Sequence, residues 1–454
     1  MKVMKFGGTS VGKPERMVEI SKLITKDEEP KIVVLSALSG TTNSLLDISI
    51  LLAKGEREAA KQHIDALEHH YQNFIIQLLK KDEYYIRAKT IVAEHFEFLN
   101  IILKISFSEA LNKDIVAQGE LLSTKLFCIY LSEQNIQHKW ISALDFVTID
   151  SFDEPQIGSI RVKLSQMLQR NPDETIFITQ GFICRNAKGE VDNLKRGGSD
   201  YTASLIAAAI NASICEIWSD IDGIHNNDPR IIENTSPIEQ LSFEEAAELA
   251  YFGAKILHPS SIWPAQYFNI PVRLLNTLQP SAKGTLIKSE SPGTGVKAVA
   301  AKDHITAIKV KSSRMLLAYG FLRKTFEIFE KYKTSIDMVT TSEVAVSLTI
   351  DNDAYLKEIV KELELYGTVE VDTNQTIVSI VGNRITDTKD VMCIIFDALA
   401  SIPVRMISYG GNEHNISVLI SAKDKKESLQ MLHNNLFGVV NTQKKPEVKT
   451  PGLS

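Results

Sequence analysis

The hexapeptide Lys5-Phe6-Gly7-Gly8-Thr9-Ser10 sets a cation, two glycines and two hydroxyls side by side, just after the apolar Val3 and Met4. Lys5 falls at the end of a first strand, and the glycines form the turn that follows. Glycine lets a backbone approach a bound group closely and take positive φ, and successive turn N–H groups cradle phosphate. The Walker A pattern is absent. Standing alone, the stretch fits equally a tight strand-to-helix turn bearing a surface lysine. Further along, Arg196-Gly197-Gly198-Ser199-Asp200 opens a helix, and Arg230 and Lys255 add positive charge. Together these residues form a cationic, N–H-rich phosphate site. Such a site suits phosphoryl transfer, which depends mostly on positioning and on neutralising charge with lysines, backbone dipoles and Mg2+. Asp200 at a helix start also fits a plain N-cap. Arg196 and Glu120 carry opposite charges. Across a shared pocket they match the carboxylate and ammonium of an amino acid; as a structural pair they match each other.

Those residues need elements that end in one place. Residues 1–45 alternate strand (3–6), helix (Pro14 to Thr25, with proline suited to a first turn) and strand (31–35). The unbroken apolar run Ile32–Leu35 marks a strand buried on both faces of a parallel sheet. The small, polar loop after it, Ser36 to Asn43, contains Ser39 and Thr42 and lies at a carboxyl end, where open α/β sheets bind ligands. Residues 45–115 carry apolar positions at helical spacing (Ile64, Leu67, Tyr71, Phe74; Val92, Phe96, Leu99) and read as a helical insertion, a lid or packing layer. His69 and His70 on it read as a solvated pair, not a metal site. The α/β pattern then resumes. Val116 to Glu120 opens a helix, the strand 175–179 runs into Gln180-Gly181-Phe182, and Tyr201 to Asn211 forms a helix body. The strand Cys215–Trp218 ends in Ser219-Asp220, turn residues follow at 226–230 just after His225, and a helix carries Phe252-Gly253-Ala254-Lys255. Each polar cluster falls at a strand's end or a helix's start, as one composite ligand site requires.

A chain of 454 residues is too long for one core. Its composition, 44% apolar and 23% charged with net charge −6, is that of a soluble globular protein and gives no reason to expect nucleic acid or membrane as partner. The N-terminus enters strand-like sequence with no signal peptide ahead of it, and no apolar run approaches a membrane span. Four scattered cysteines without a CxxC read as reduced core residues of a cytoplasmic protein.

Residues 276–300, rich in Pro, Gly, Ser and Lys, read as the junction between a domain at 1–292 and a region at 293–454. Beyond it a βαββαβ unit is expected at about 304–373: strand 305–310, a helix with Leu322 and Phe326, strand 335–339, the alternating Val344-Val346-Leu348-Ile350, a helix at 356–363, and strand 368–371. A second copy follows at about 374–442. It lacks a final strand, and residues 294–303 are expected to fill that place. Such repeats more often bind ligands or partners than perform chemistry.

KFGGTS, SGTTN, the QGE of 118–120, TQGF, RGGSDYTA, WSD…DPR and FGAKILHP occur in the order found in the aspartate kinases, and with the paired C-terminal repeats the resemblance spans the chain. It implies the amino-acid-kinase fold, a mostly parallel α/β sheet sandwiched by helices, followed by two ferredoxin-like ACT domains. It implies an enzyme that uses ATP with Mg2+ to phosphorylate the β-carboxylate of L-aspartate, giving 4-phospho-L-aspartate, the first step towards lysine, threonine and methionine. By matched position, Lys5 resembles the residue that neutralises the transferring phosphoryl group, with Gly7, Gly8 and Ser39 shaping its cradle. Thr42, Glu120, Phe182, Arg196, Ser199 and Asp200 resemble the aspartate site, Arg196 on the α-carboxylate and Glu120 on the α-ammonium. Ser219, Asp220, His225, Arg230, Lys255 and Ile256 resemble the nucleotide site, and no protein ligand to a metal is implied. His225 stands where the family usually has tyrosine, and Lys195 where a glycine usually precedes the arginine.

The chemistry agrees: aspartate's side chain, with a pKa near ~3.9, is already ionised at neutral pH and needs no general base. The product is an acyl phosphate that water destroys, so closure of the site is expected. The chain stops soon after the second repeat, so no fused dehydrogenase domain is expected. Alternatives are a silent amino-acid sensor of the same fold, or another carboxylate kinase.

Met315, Ala318, Gly320, Phe321 and Leu322, with Ser335, Asp337, Met338, Thr341, Ser342 and Glu343, resemble the effector loops of lysine-sensitive aspartate kinases. A cationic effector needs an acid, which Asp337 and Glu343 could supply; both also fit solvated turn residues, and threonine is the alternative effector. Assembly as a homodimer or homotetramer through the ACT domains is expected.

Overall fold

The computed structural model describes residues 1–194, 197–253, 257–311 and 320–438, with residue 259 described by its backbone alone. Lys195, Arg196, Lys255, Ile256, Met315 and Ala318 lie outside the described residues. Two compact units are formed, one by Met1–Asn226 with Ser236–Gly293, the other by Asn227–Thr235 with the chain from Thr294. Among the described residues, no helix is long and apolar enough to cross a membrane.

The first unit's strands, in chain order, are β1 (Lys2–Phe6), β2 (Lys31–Leu35), β3 (Lys139–Trp140), β4 (Ile176–Gln180), β5 (Ile183–Arg185), β6 (Val191–Asn193), β7 (Cys215–Ser219), β8 (Gln240–Ser242), β9 (Val272–Asn276) and β10 (Thr285–Lys288). Eight of them make one sheet in the order β3-β4-β2-β1-β7-β9-β10-β8, while β5 and β6 pair as a separate hairpin. From β3 to β9 every neighbouring pair is parallel; β10 turns antiparallel against β9. Ile32–Leu35 of β2 are all buried, as the apolar run requires, and the buried Lys31 ahead of them pairs with Asp27 Oδ1 at 2.9 Å. The strand order reverses at β1, with β2 and β4 on one side and β7 and β9 on the other. A crevice opens outside the carboxyl ends at such a switch point.

Helices Thr41–Ala53, Arg57–Leu78, Asp82–Ile102 and Glu109–Glu133 occupy the inserted region. Their apolar stripes, among them Ile64, Tyr71, Phe74, Val92, Phe96 and Leu99, are buried in one core with Phe6, Val33 and Leu35 of the sheet. The fourth helix starts earlier than expected, so Gln118-Gly119-Glu120 sits in its middle and does not open it. Ser108 caps the true start, its Oγ accepting from the Leu111 N–H at 3.3 Å.

The second unit carries a six-stranded antiparallel sheet: β11 (Gly295–Lys311), β12 (Val339–Thr341), β13 (Ala345–Ile350), β14 (Thr368–Asn383), β15 (Met406–Ser408) and β16 (Asn415–Ser421), in the order β12-β13-β11-β14-β16-β15. The expected strands 295–301 and 305–310 are one strand, as are 368–371 and 376–381. They pair along their whole length, from Gly295 with Asn383 to Lys311 with Thr368, with a jog between Lys302 and Ile305. A bulge absorbs the irregularity that the sequence shows as an interruption. Each repeat has its own core, one around Ile308, Phe329, Val346 and Ile359, the other around Ile380, Ile395, Val418 and Leu429. Ser335–Met338 is not ladder strand: the Asp337 N–H donates to the Thr349 carbonyl at 2.9 Å, and regular pairing begins only at Val339. Cys393 is exposed, so the expectation of four core cysteines is corrected at that position; it points away from the buried Val391 and Ile395 of its helix.

Candidate functional site

Lys5 stands one residue before the end of β1, the strand beside the switch point. Its ammonium lies 2.6 Å from Asp200 Oδ1, and the two side chains are largely enclosed. Asp200 is in the first turn of the helix Gly198–Ile210, whose N-cap is Gly197 at φ 73°. Asp200 is therefore not the N-cap but the partner of the lysine at the end of the central strand. Gly7 and Gly8 take φ below zero, so positive φ is not why glycine is used there. Room is the reason. A Cβ on Gly7 would come 3.3 Å from the Lys5 ammonium, and one on Gly8 would come 3.2 Å from the Ala37 carbonyl. Ser10, one of the two hydroxyls of the hexapeptide, is buried with its Oγ 2.7 Å from Thr277 Oγ1, tying the loop to the end of β9.

Three strand ends meet around this pair. Ser36, after β2, donates from Oγ to Ser199 Oγ at 3.0 Å. After β4, the Gly181 N–H bonds the Leu35 carbonyl at 2.9 Å, and the Phe182 N–H bonds Thr202 Oγ1 at 2.9 Å. Phe182 itself adopts φ 68°, and its ring covers Gly198, where a Cβ would meet Phe182 Cδ2 at 2.3 Å. Gly181 is equally constrained, since a Cβ there would lie 2.5 Å from Ser199 Oγ and 2.7 Å from Ser199 Cα. Gly181→Ala is thus expected to push the start of the Gly198 helix out of place, costing about 1–3 kcal/mol and lowering activity. Unchanged melting and kinetics in that variant would mean the helix start has slack.

Glu120 is 3% exposed, deep in the helix Glu109–Glu133. Burial pushes its carboxyl up to about 8, against the pull of nearby backbone N–H groups that include Ala37. Its Oε2 has no hydrogen-bond partner among the described residues. The helix reaches the loop after β2 because Gly119 has no side chain: a Cβ there would meet Ala37 Cβ at 2.9 Å. Ala37 thus touches both the Gly8 loop and the helix bearing Glu120. A buried acid with an open oxygen is arranged to receive a cation. Tyr71 and Gln180 join these polar groups without any local sequence signal of such a role. Tyr71 bonds Thr41 Oγ1 at 3.2 Å and feels the charge of Glu120. Gln180 bridges the Ala143 N–H and Thr124 Oγ1, each at 2.8 Å. Both look like ordinary core residues until the fold brings polar groups to them.

Thr42 is half-buried at the start of the helix Thr41–Ala53, and Ser39 is exposed just before it. Ser219 ends β7 and Asp220 follows it, exposed. His225 has Nε2 2.8 Å from Asp222 Oδ1, so its ring is already engaged. Arg230 lies on the segment 227–235, which belongs to the second unit, and there it grips Asp228 through Nε at 2.9 Å and Nη2 at 2.8 Å.

The profile of the amino acid kinase family matches residues 1–276, and that of the ACT domain residues 378–436. Lysine-sensitive aspartokinase 3 of Escherichia coli (strain K12) is 36% identical, over 96% of this chain and 99% of its own length. The chain belongs to the aspartokinases. Aspartokinase 3, chloroplastic, of Arabidopsis thaliana is 34% identical to it over 96% of the chain and 81% of the plant protein. Among solved structures, E. coli aspartokinase III in complex with aspartate and ADP superposes with a TM-score of 0.81 at 33% identity, covering 96% of this aspartokinase and all of that chain. The same enzyme in complex with lysine and aspartate gives the same score and identity, covering 96% and 99%.

The second unit of this aspartokinase places the expected effector residues unevenly. Gly320, at φ 86°, caps the helix Phe321–Lys331; Phe321 is buried and Leu322 exposed. Ser335, Thr341, Ser342 and Glu343 are exposed, and Met338 is buried. Asp337 is no solvated turn residue. Its side chain is fully buried, with Oδ1 2.8 Å from the Lys302 ammonium.

Proposed function

We propose that this aspartokinase transfers the γ-phosphoryl group of ATP to the β-carboxylate of L-aspartate, giving 4-phospho-L-aspartate and ADP, and that lysine inhibits it by feedback. The reading is carried by Glu120, a buried acid with an open oxygen, whose helix packs at Gly119 against Ala37, the same loop residue that borders Gly8 beside the Lys5–Asp200 pair. The E. coli relative solved with aspartate and ADP supports it. Glu120 takes the substrate's α-ammonium, and Arg196 grips its α-carboxylate with a bidentate fork. Thr42, Phe182 and Ser199 shape the space between. The ionised β-carboxylate then attacks phosphorus in line while the bond to ADP breaks. Lys5, held by Asp200, neutralises charge on the group in flight. Gly7 leaves a space beside that ammonium which a Cβ would fill, a fit for a phosphate oxygen. Mg2+ enters on the nucleotide's phosphates. Ser39, Ser219, Asp220, His225, Lys255 and Ile256 hold the nucleotide. The enzyme works in the cytoplasm as a homodimer or homotetramer joined through its ACT repeats.

Purified protein with ATP, Mg2+ and aspartate should yield a hydroxamate when hydroxylamine traps the acyl phosphate. ADP release without hydroxamate, or neither product, would refute the reading. Arg196→Ala is expected to raise the KM for aspartate about 10- to 150-fold with little change for ATP. A change confined to ATP would move Arg196 out of the amino-acid site.

A further inference from the structure

Lys302 sits at the jog in β11, where the strand passes from one repeat to the other. Its ammonium is held by two carboxylates of the first repeat, Asp337 Oδ1 at 2.8 Å and Asp351 Oδ2 at 2.9 Å. The Asp337 side chain is fully buried, while Lys302 is 17% and Asp351 40% exposed. An alkylammonium on a flexible stem, seated between two acids, is chemically the end of a free lysine molecule. The next residue, Asp303, points its carboxylate into the second repeat, taking a hydrogen bond from Thr376 Oγ1 at 3.0 Å and pairing with Lys425 at 2.5 Å. Adjacent residues of opposite charge are thus anchored one to each repeat.

We propose that Lys302 is a resident stand-in for the effector: it occupies the acid that reads a cationic amino acid, and the effector acts by displacing it from Asp337. This rests on the reading of lysine as effector and of Asp337 as part of its site. A tethered ammonium competes at an effective concentration of millimolar or more, so it sets the concentration of free lysine at which inhibition begins. Displacement also frees the jog on its first-repeat side while Asp303 still holds the second. Lysine occupancy is thereby registered where the two repeats share a strand. The pair serves both as a threshold and as a lever.

The test compares wild type with Lys302→Met and Asp351→Asn, using lysine inhibition of the kinase reaction and lysine-dependent thermal shifts. Lys302→Met takes away the ammonium seated 2.8 Å from Asp337 Oδ1, a position that free lysine can then fill without competition. Half-inhibition is therefore expected at about tenfold lower lysine or less, with a larger lysine-induced rise in Tm than in wild type. Asp351→Asn, at a half-exposed position, loosens Lys302 while leaving Asp337 intact, and should shift half-inhibition the same way by a smaller factor. Lysine inhibition that is unchanged or weaker in both variants overturns the stand-in role while leaving lysine as effector. A wild type and variants that all fail to respond to lysine in either assay would overturn the effector reading itself, and this proposal with it. Should Lys302→Met not fold, Asp351→Asn alone decides.

Discussion

Lys5→Ala is expected to lower turnover about 10²–10³-fold, the usual consequence of removing one preorganised charge from a developing anionic transition state. The expectation draws on place as much as on charge. β1 is flanked on both sides by parallel neighbours, so its backbone does not shift when one side chain is shortened. The Lys5 side chain is 12% exposed and its ammonium is fixed 2.6 Å from Asp200, so little reorganisation is needed to present it. The variant also leaves the Asp200 carboxylate enclosed without its cation. Part of the loss would then be repulsion of the triphosphate, and the double variant Lys5→Ala/Asp200→Asn should recover some affinity for ATP but not turnover. Initial rates with the hydroxylamine trap, across ATP concentrations, separate the two. Turnover within a few-fold of wild type for Lys5→Ala would remove Lys5 from the chemistry.

Glu120→Gln is expected to cut kcat/KM for aspartate about 10- to 150-fold, the range for losing a charge-assisted hydrogen bond. Its pH dependence is the sharper observation. With the carboxyl pushed up to about 8, the empty site holds Glu120 protonated at neutral pH. Binding the substrate's ammonium ionises it, so aspartate uptake should release a proton below pH 8. Affinity for aspartate should improve with rising pH and level off above about 8 in wild type, and be flat in the variant. Calorimetry in buffers of different ionisation enthalpy reads the released proton directly. Stability moves the other way. The folded chain keeps this proton up to about pH 8, whereas the unfolded chain loses it near the ordinary value of 4.5. Folded wild type therefore loses stability as pH rises through that window, and Glu120→Gln does not. Above pH 8 the substrate-free variant should be the more stable by a few kcal/mol. A variant with unchanged aspartate kinetics would take Glu120 out of the site.

Local patterns show much of this molecule. The apolar run at Ile32–Leu35, the helical spacing through Tyr71 and Phe96, and the alternation from Val344 to Ile350 each report burial of one face, which local sequence encodes. The glycine pairs and the acids and bases around them mark strand ends for the same reason. Long-range pairings leave no such trace. Nothing near Lys5 announces Asp200, and nothing near Ser10 announces Thr277, 267 residues away, which takes its hydroxyl out of use. The role of Gly7 and Gly8 is hidden too, because room beside a neighbour and freedom in φ call for the same residue. A bulge keeps a strand continuous through residues that look like a break. The segment 227–235 reads as a turn, yet its Ile232 is buried in the core of the second repeat.

The two shared strands also fix an order of assembly. Everything the first repeat needs, from Ile305 to about Val371, is contiguous in the chain. The second repeat takes its outermost shared segment, Gly295–Lys302, from ahead of the first and pairs it with Ile377–Asn383. The first repeat is thus nested within the second. As the chain leaves the ribosome, residues 295–302 must wait for about 80 residues of further synthesis, some seconds at ~5–20 residues per second, before their partner exists. An apolar strand held open that long is exposed to wrong pairing. The early closure of the first repeat, which holds the other end of the same strand in register, is what keeps the waiting end from straying.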